Sequence, residues 1–294
     1  MKKFIRFLFF LTILLGVWAC NSNNLKEEIP VSESPEQLSA DTSVIKSYFI
    51  IPSPVQISSI MKSAGLKFNK AELNEISNEK RYLSNFKRSA NIGVYGTDLC
   101  FSVMFGQTQE SLNYLSVLNR MGERAGMSEV FFNSGLTNRF KENIANKDSL
   151  LTLLSDFYRI SDDYFKTNNQ DFQSSVIISG GWIEALSIAT GQLKGHSNSE
   201  LRKLIAEQKL SLNNIVRMLP VVEESAEYKK FRTDLIELNT LFGKVSVNPD
   251  KQEIQTDTAL GMTTISGENY IEITDSQLNE ITEKVSAIRI KLIN

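Results

Sequence analysis

Between Asn91 and Gln107 the chain reads NIGVYGTDLCFSVMFGQ, a strongly apolar run broken by three glycines and one carboxylate. Ser89, Gly93, Gly96 and Cys100 follow at steps of four, three and four, which places four small side chains on one side of a helix. A second apolar segment, SSVIISGGWIEALSIATGQ, repeats the device with Gly181, Ala185 and Ala189. Each glycine inside a helix costs about 1 kcal/mol relative to alanine, so close packing that only a thin helix permits must offset it. The spacing predicts two helices that cross at the centre of a bundle, with Ser89, Gly93, Gly96, Cys100, Gly181 and Ala185 at the crossing. A phosphate-binding loop is a poor account of the same glycines. Gly93-Val94-Tyr95-Gly96 has neither the G-x-G-x-x-G spacing nor a following Lys, and no strand precedes it.

The rest of the chain also carries helical periodicity. Ser53-Pro54 forms an N-cap and first-turn pair and Gly65 a C-terminal cap, which predicts a helix over 54–64. Further helices are expected over 79–105, 109–125, from a cap at Asp148, and over 171–191, 198–218 and 227–242. After Gly243 the composition turns to Thr, Val and Ile, and TTISGENYIEIT reads as two strands around a Gly-Glu-Asn turn. A final helix begins near Thr274-Asp275, its Leu278, Ile281, Val285, Ile288 and Leu292 forming a stripe for packing on its own domain or for a dimer. The fold class is mainly α: a multi-helix bundle with a small C-terminal β-hairpin and a terminal helix. Ile92, Gly96, Ser102, Gly106 and Gln107 recur 85 residues later as Ile177, Gly181, Ser187, Gly191 and Gln192, an echo that chance accounts for, with a duplicated helical hairpin as the alternative.

The N-terminus reads MKKFIRFLFFLTILLGVWAC, three positive charges before an apolar core, then Ala19 and Cys20. Residues 1–19 have the form of a secretory signal peptide, too short to span a bilayer. Val17-Trp18-Ala19-Cys20 resembles a bacterial lipobox, which implies lipidation of Cys20 and a membrane as partner through that lipid. With about 0.8 kcal/mol per buried methylene, two or three acyl chains anchor a domain firmly. Residues 20–45 then form the lipidated Cys and a polar tether, 46–244 an α-helical domain, and 245–294 the hairpin and terminal helix packed on it. Lys26-Glu27-Glu28 resembles a surface-export signal of some Bacteroidota lipoproteins, and equally suits a solvated linker. Without its leader the chain has 29 basic and 34 acidic residues, leaving no basic field to attract nucleic acid. With Cys20 lipidated, Cys100 has no partner for an intrachain disulfide.

Asn91-Ile92-Gly93-Val94-Tyr95-Gly96-Thr97-Asp98-Leu99 and Gly180-Gly181-Trp182-Ile183-Glu184 resemble two segments of a group of uncharacterised Bacteroidota lipoproteins, N-[LI]-G-V-Y-G-x-D-L and G-G-W-I-E. The resemblance runs from about Ile51 to Gln192. It implies a helical envelope domain and brings no activity.

No H-E-x-x-H, C-x-x-C or G-x-S-x-G occurs, so zinc hydrolase and serine esterase chemistry lack their parts. No cofactor is expected. His196, the only histidine, lies in the polar link GQLKGHSNSE and reads as a solvated loop residue. Cys100, among Leu99, Phe101 and Val103, reads as buried packing, and Asp162-Asp163 as a solvated helix face. Lys80, Arg81, Lys87 and Arg88 read as a surface patch. The carboxylates carry the open question. Asp98 shares a helix line with Asn91 and Ser102, and Glu184 with Ser187. If both lines face inward, Asp98, Glu184, Asn91, Ser102 and Ser187 surround a polar pocket. Pairing of each carboxylate with Arg81, Arg88, Arg139 or Arg159 would make them structural instead. The leading expectation is a lipid-anchored envelope protein, in the outer membrane, whose helical domain binds a partner protein or small ligand. A hydrolase of envelope glycans using Asp98 and Glu184 is the alternative.

Overall fold

The computed structural model describes residues 53–128, 135–193, 198–221, 225–248, 253–257, 262–266 and 270–294. The leader, Cys20, the tether and His196 lie outside the described residues. The chain is mainly α, and its described part falls within one compact unit, Ser47–Asn294.

Helix α1 (Pro54–Ser63) starts as its sequence directs. The Ser53 side chain accepts from the Gln56 N–H, and the Gln56 side chain accepts from the Ser53 N–H. Gly65, at φ +83°, ends it. Helix α2 (Asn85–Met104) is shorter than the expected 79–105. Residues Ile76–Arg81 form a 3-10 helix instead, because Glu79 is drawn inward to Arg120 and Arg124 of the next helix and Ser84 caps a fresh start. At its far end Gly106, at φ +70°, lets Gln107 N donate to Ser102 O and Gly106 N to Val103 O, which closes the helix in a Schellman turn.

Helices α3 (Thr108–Arg124), α4 (Leu136–Glu142) and α5 (Lys147–Thr167) follow. The cap of α5 is Asn146, whose side chain accepts from Ser149 N, and Asp148 sits in the first turn. Then come α6 (Asp171–Gln192), α7 (Ser199–Met218), α8 (Ala226–Gly243) and α9 (Asp275–Ile293). Among the described residues no helix is long and apolar enough to cross a membrane.

Strands β1 (Ser246–Asn248), β2 (Glu253–Asp257), β3 (Met262–Ser266) and β4 (Tyr270–Glu272) lie between α8 and α9. The expected hairpin, β3 against β4 around Gly267, is not formed. β3 pairs antiparallel with β2, and β4 pairs antiparallel with β1. Two nested pairs thus replace one, because β1 and β2 offer each strand an earlier partner.

Helices α2 and α6 form the axis of the bundle. Nearly all of α2 from Ser89 to Met104 and most of α6 from Ser179 to Thr190 are buried. Neighbouring residues advance together along the two, with Gly93 by Ile177, Thr97 by Gly181 and Asp98 by Glu184. The helices therefore run side by side in the same direction. Helices α1, α3 and α5 pack against α2, while α7 and α9 pack against α6. The α9 stripe Leu278, Ile281, Val285, Ile288 and Leu292 is buried within this same chain, each side chain contributing about 2 kcal/mol.

Candidate functional site

Two features meet at the α2–α6 axis: a close backbone approach with an apolar cavity beside it, and a buried polar network on the other side. At the approach, a Cβ on Gly93 would stand 2.7 Å from Gly181 N, and one on Gly180 would stand 2.8 Å from the Ala90 carbonyl carbon. Only hydrogen fits at either position. Thr97 Oγ1 donates to Gly181 O at 3.0 Å, joining the helices through side chain and backbone. Of the small-residue line, Gly93 meets α6, while Gly96 and Cys100 face α5. There the Tyr158 hydroxyl lies 3.7 Å from Cys100 Sγ and would be 3.1 Å from a Cβ on Gly96. Ser89 is buried, and Ala185 turns toward α1 and α7 beside Trp182. Gly180 and Ala90 are contacts that the step-of-four pattern missed, since Gly180 lies outside the Gly181 stripe.

Burial pushes the Cys100 thiol up to about 12, the Tyr158 contact opposing and Asp98 adding to it. Among the described residues no base stands by it, and the buried thiol serves as packing. Burial, then Cys100, holds the Tyr158 phenol well above its ordinary range, so it stays a hydrogen-bond donor.

Gly93, Gly96 and Gly181 also line a cavity of about 230 Å³ between α1, α2, α5 and α6, with Leu118 of α3 closing one side. Its walls include Ile92, Phe157, Phe165, Ile177 and Trp182, with Ser53, Pro54 and the partly exposed Ile178 at the rim. Among the described residues no charged side chain lines it. Gly93 and Gly96 give the wall bare backbone where α2 meets α6 and the Tyr158 hydroxyl.

On the other face, Asp98 and Glu184 lie together and neither has any solvent exposure. Arg289 of α9 holds Glu184 with two parallel bonds, Nε to Oε2 and Nη2 to Oε1, both 2.6 Å, and Nη2 also donates to Glu72 O at 2.7 Å. Asp98 Oδ2 accepts from Asn74 N at 3.1 Å, and Oδ1 has no donor. Burial first, then the Glu184 charge, raises the Asp98 carboxyl well above the usual carboxylate range, against the pull of Arg289 and Asn74. Asp98 thus holds its proton to a higher pH than a solvated carboxyl does. Arg289 stays charged: burial pulls it down, but Glu184 outweighs that and raises it.

Asn74 knits the surroundings. Its side-chain amide donates to Tyr82 Oη at 3.0 Å and Asn91 Oδ1 at 3.4 Å, and its carbonyl accepts from Tyr114 Oη at 3.1 Å. Asn91 Nδ2 and Tyr82 Oη donate to the carbonyls of Leu292 and Ile293 in the last turn of α9. Lys87 donates to the carbonyls of Lys291 and Leu292, so it caps α9 and is no part of a free surface patch.

These contacts replace the expected polar pocket with a filled network. Asp98, Glu184 and Asn91 come together, but Arg289 and Asn74 occupy the space between them. Ser102 is buried with an unpartnered Oγ, and Ser187 is half-buried and takes no part. The guanidinium is none of the four expected: Arg88 donates to Leu83 O and Arg124 O, and Arg159 pairs with exposed Asp163. Glycan hydrolysis requires two carboxyls flanking a space for the sugar, with one free to attack or activate water. Two unexposed carboxyls, one of them locked to Arg289, do not provide that. Among the described residues no group of three or more His, Cys, Asp or Glu side chains could hold a metal ion.

Sequence reasoning missed Arg289 although a signal was present. It stands four residues after Val285 and three before Leu292, on the flank of the α9 stripe. Asn74 has no such signal, since it lies between two 3-10 turns, Lys70–Glu72 and Ile76–Arg81. Comparison with protein-family models, curated proteins and solved structures gives no match to this chain.

Proposed function

We propose that this chain is a lipid-anchored protein of the cell envelope, held on the outer membrane through Cys20, whose helical domain binds an apolar small molecule in the cavity between α1, α2, α5 and α6. The observation that carries the binding role is the cavity itself, about 230 Å³ with apolar walls beside a strictly tight helix contact. Dry apolar cavities of roughly 150 Å³ already take up benzene or xenon, so this one has room for more. The leader and Cys20 support the anchor. The two segments in which the chain resembles uncharacterised Bacteroidota lipoproteins are the central lengths of α2 and α6, so the same pattern would build the same cavity in that group.

Two measurements test the reading. Cys20→Ala should move the protein from the membrane fraction to the soluble one, and unchanged retention would remove the anchor. The fluorescence of N-phenyl-1-naphthylamine should rise on binding the Cys20→Ala protein. Ile178→Trp, which adds bulk at the cavity rim, should suppress that rise at least tenfold with the thermal midpoint unchanged. A rise that Ile178→Trp leaves intact places the dye elsewhere and defeats the cavity as the site.

A further inference from the structure

Beyond Ser53 at the rim, three polar side chains line the cavity among the described residues: Tyr158, Ser174 and Ser161, whose hydroxyl already donates to Phe157 O. Tyr158 stands in the wall, and among the described residues its hydroxyl, above Gly96, has the Cys100 sulfur as its polar neighbour at 3.7 Å. A thiol is a weak acceptor, so the hydroxyl retains a donor for a stronger one. Among the described residues no charged side chain lines the cavity, which works against an ionised ligand, whose burial without a counter-charge is costly. The size decides further. At about 230 Å³ the space falls below the roughly 300–1,000 Å³ typical of pockets for drug-sized ligands, which excludes a sterol or a two-chain lipid held whole.

We propose that the cavity takes a single neutral acyl chain, an ester or amide whose carbonyl oxygen accepts a hydrogen bond from the Tyr158 hydroxyl while the chain lies against Phe157, Phe165 and Trp182. The assignment rests on the cavity being the binding site, as proposed above. Gly96 is then required twice, for the volume and for the approach of a carbonyl to Tyr158. Both an acyl ester free in solution and one chain of a membrane lipid present this chemistry.

The experiment is competition against N-phenyl-1-naphthylamine on the Cys20→Ala protein with methyl decanoate, decanoate and decane. Methyl decanoate should compete best, and decanoate at neutral pH at least tenfold more weakly. Tyr158→Phe, which keeps the ring, should weaken methyl decanoate about three- to tenfold, the worth of one hydrogen bond, and leave decane unchanged. Equal competition by methyl decanoate and decane, or an ester affinity indifferent to Tyr158→Phe, overturns the acyl assignment while leaving an apolar site. Failure of the dye to bind at all overturns the site and the assignment with it. Transfer of pyrene-labelled phosphatidylcholine from vesicles to the protein supports the proposal with a membrane lipid as source. Uptake of the soluble ester alone supports it with a free ester.

Discussion

At the scale of the residue, the Asp98 carboxyl is the unusual group. In the unfolded chain it ionises in the ordinary carboxylate range, whereas in the fold burial and Glu184 keep its proton on to a higher pH. Between those two values the folded state holds one proton more, so stability falls as pH rises, by up to about 1.4 kcal/mol per pH unit. Asp98→Asn supplies a permanent neutral donor to Glu184 and still accepts from Asn74 N. Denaturant titrations from pH 4 upward should show wild type losing stability relative to this variant, which should be at least as stable at pH 7. Parallel curves would mean that Asp98 is ionised in the fold. Glu184→Gln is the contrasting change. It strands the Arg289 guanidinium, only 15% exposed, and should cost about 3–5 kcal/mol in the same titration.

Elements are set by what neighbouring helices allow. The α2–α6 pair is close because Gly93 and Gly180 present only hydrogen to the opposing backbone. Gly93→Ala must push two backbones apart, and should destabilise by at least the 1–3 kcal/mol typical of overpacking. Gly191, near the end of α6, has open space around its Cα, so Gly191→Ala should be neutral or stabilising by about 0.5–1 kcal/mol. Thermal midpoints of the two variants separate the effects, and a Gly93→Ala midpoint equal to wild type would show that the pair can part without cost. The periodicity of α3, α5, α7 and α9 was legible because each has one apolar face. The start of α2 was not, since Glu79 lies in a helical pattern that its pairing with Arg120 and Arg124 breaks.

At the scale of the whole molecule, α9 closes the structure and is no appendage. It buries its stripe against α6 and α8, brings Arg289 to Glu184, and offers its last carbonyls to Asn91, Tyr82 and Lys87. Removal of residues 275–294 should therefore abolish cooperative thermal unfolding, seen in the far-ultraviolet circular dichroism melt, and expose dye-binding apolar surface. A truncated chain that melts sharply at the wild-type temperature would show that the other helices form the core alone.

What the amino-acid order determined by itself was local or periodic. The Ser53-Pro54 cap pair, the glycine stop at Gly65, the apolar faces and the small-residue stripes all act within a few turns of one helix, and each was readable there. The contrast between a polar pocket and a salt bridge at Asp98 and Glu184 was not. It depended on Arg289, 105 residues beyond Glu184, and on the Asn74 backbone, groups that share no period with the carboxylates. Strand pairing was decided in the same way, since a strand's pattern states which face it buries and not which strand it meets. The cavity is the purest case: it is defined by where the side chains of five helices fail to reach, and no single segment encodes an empty space.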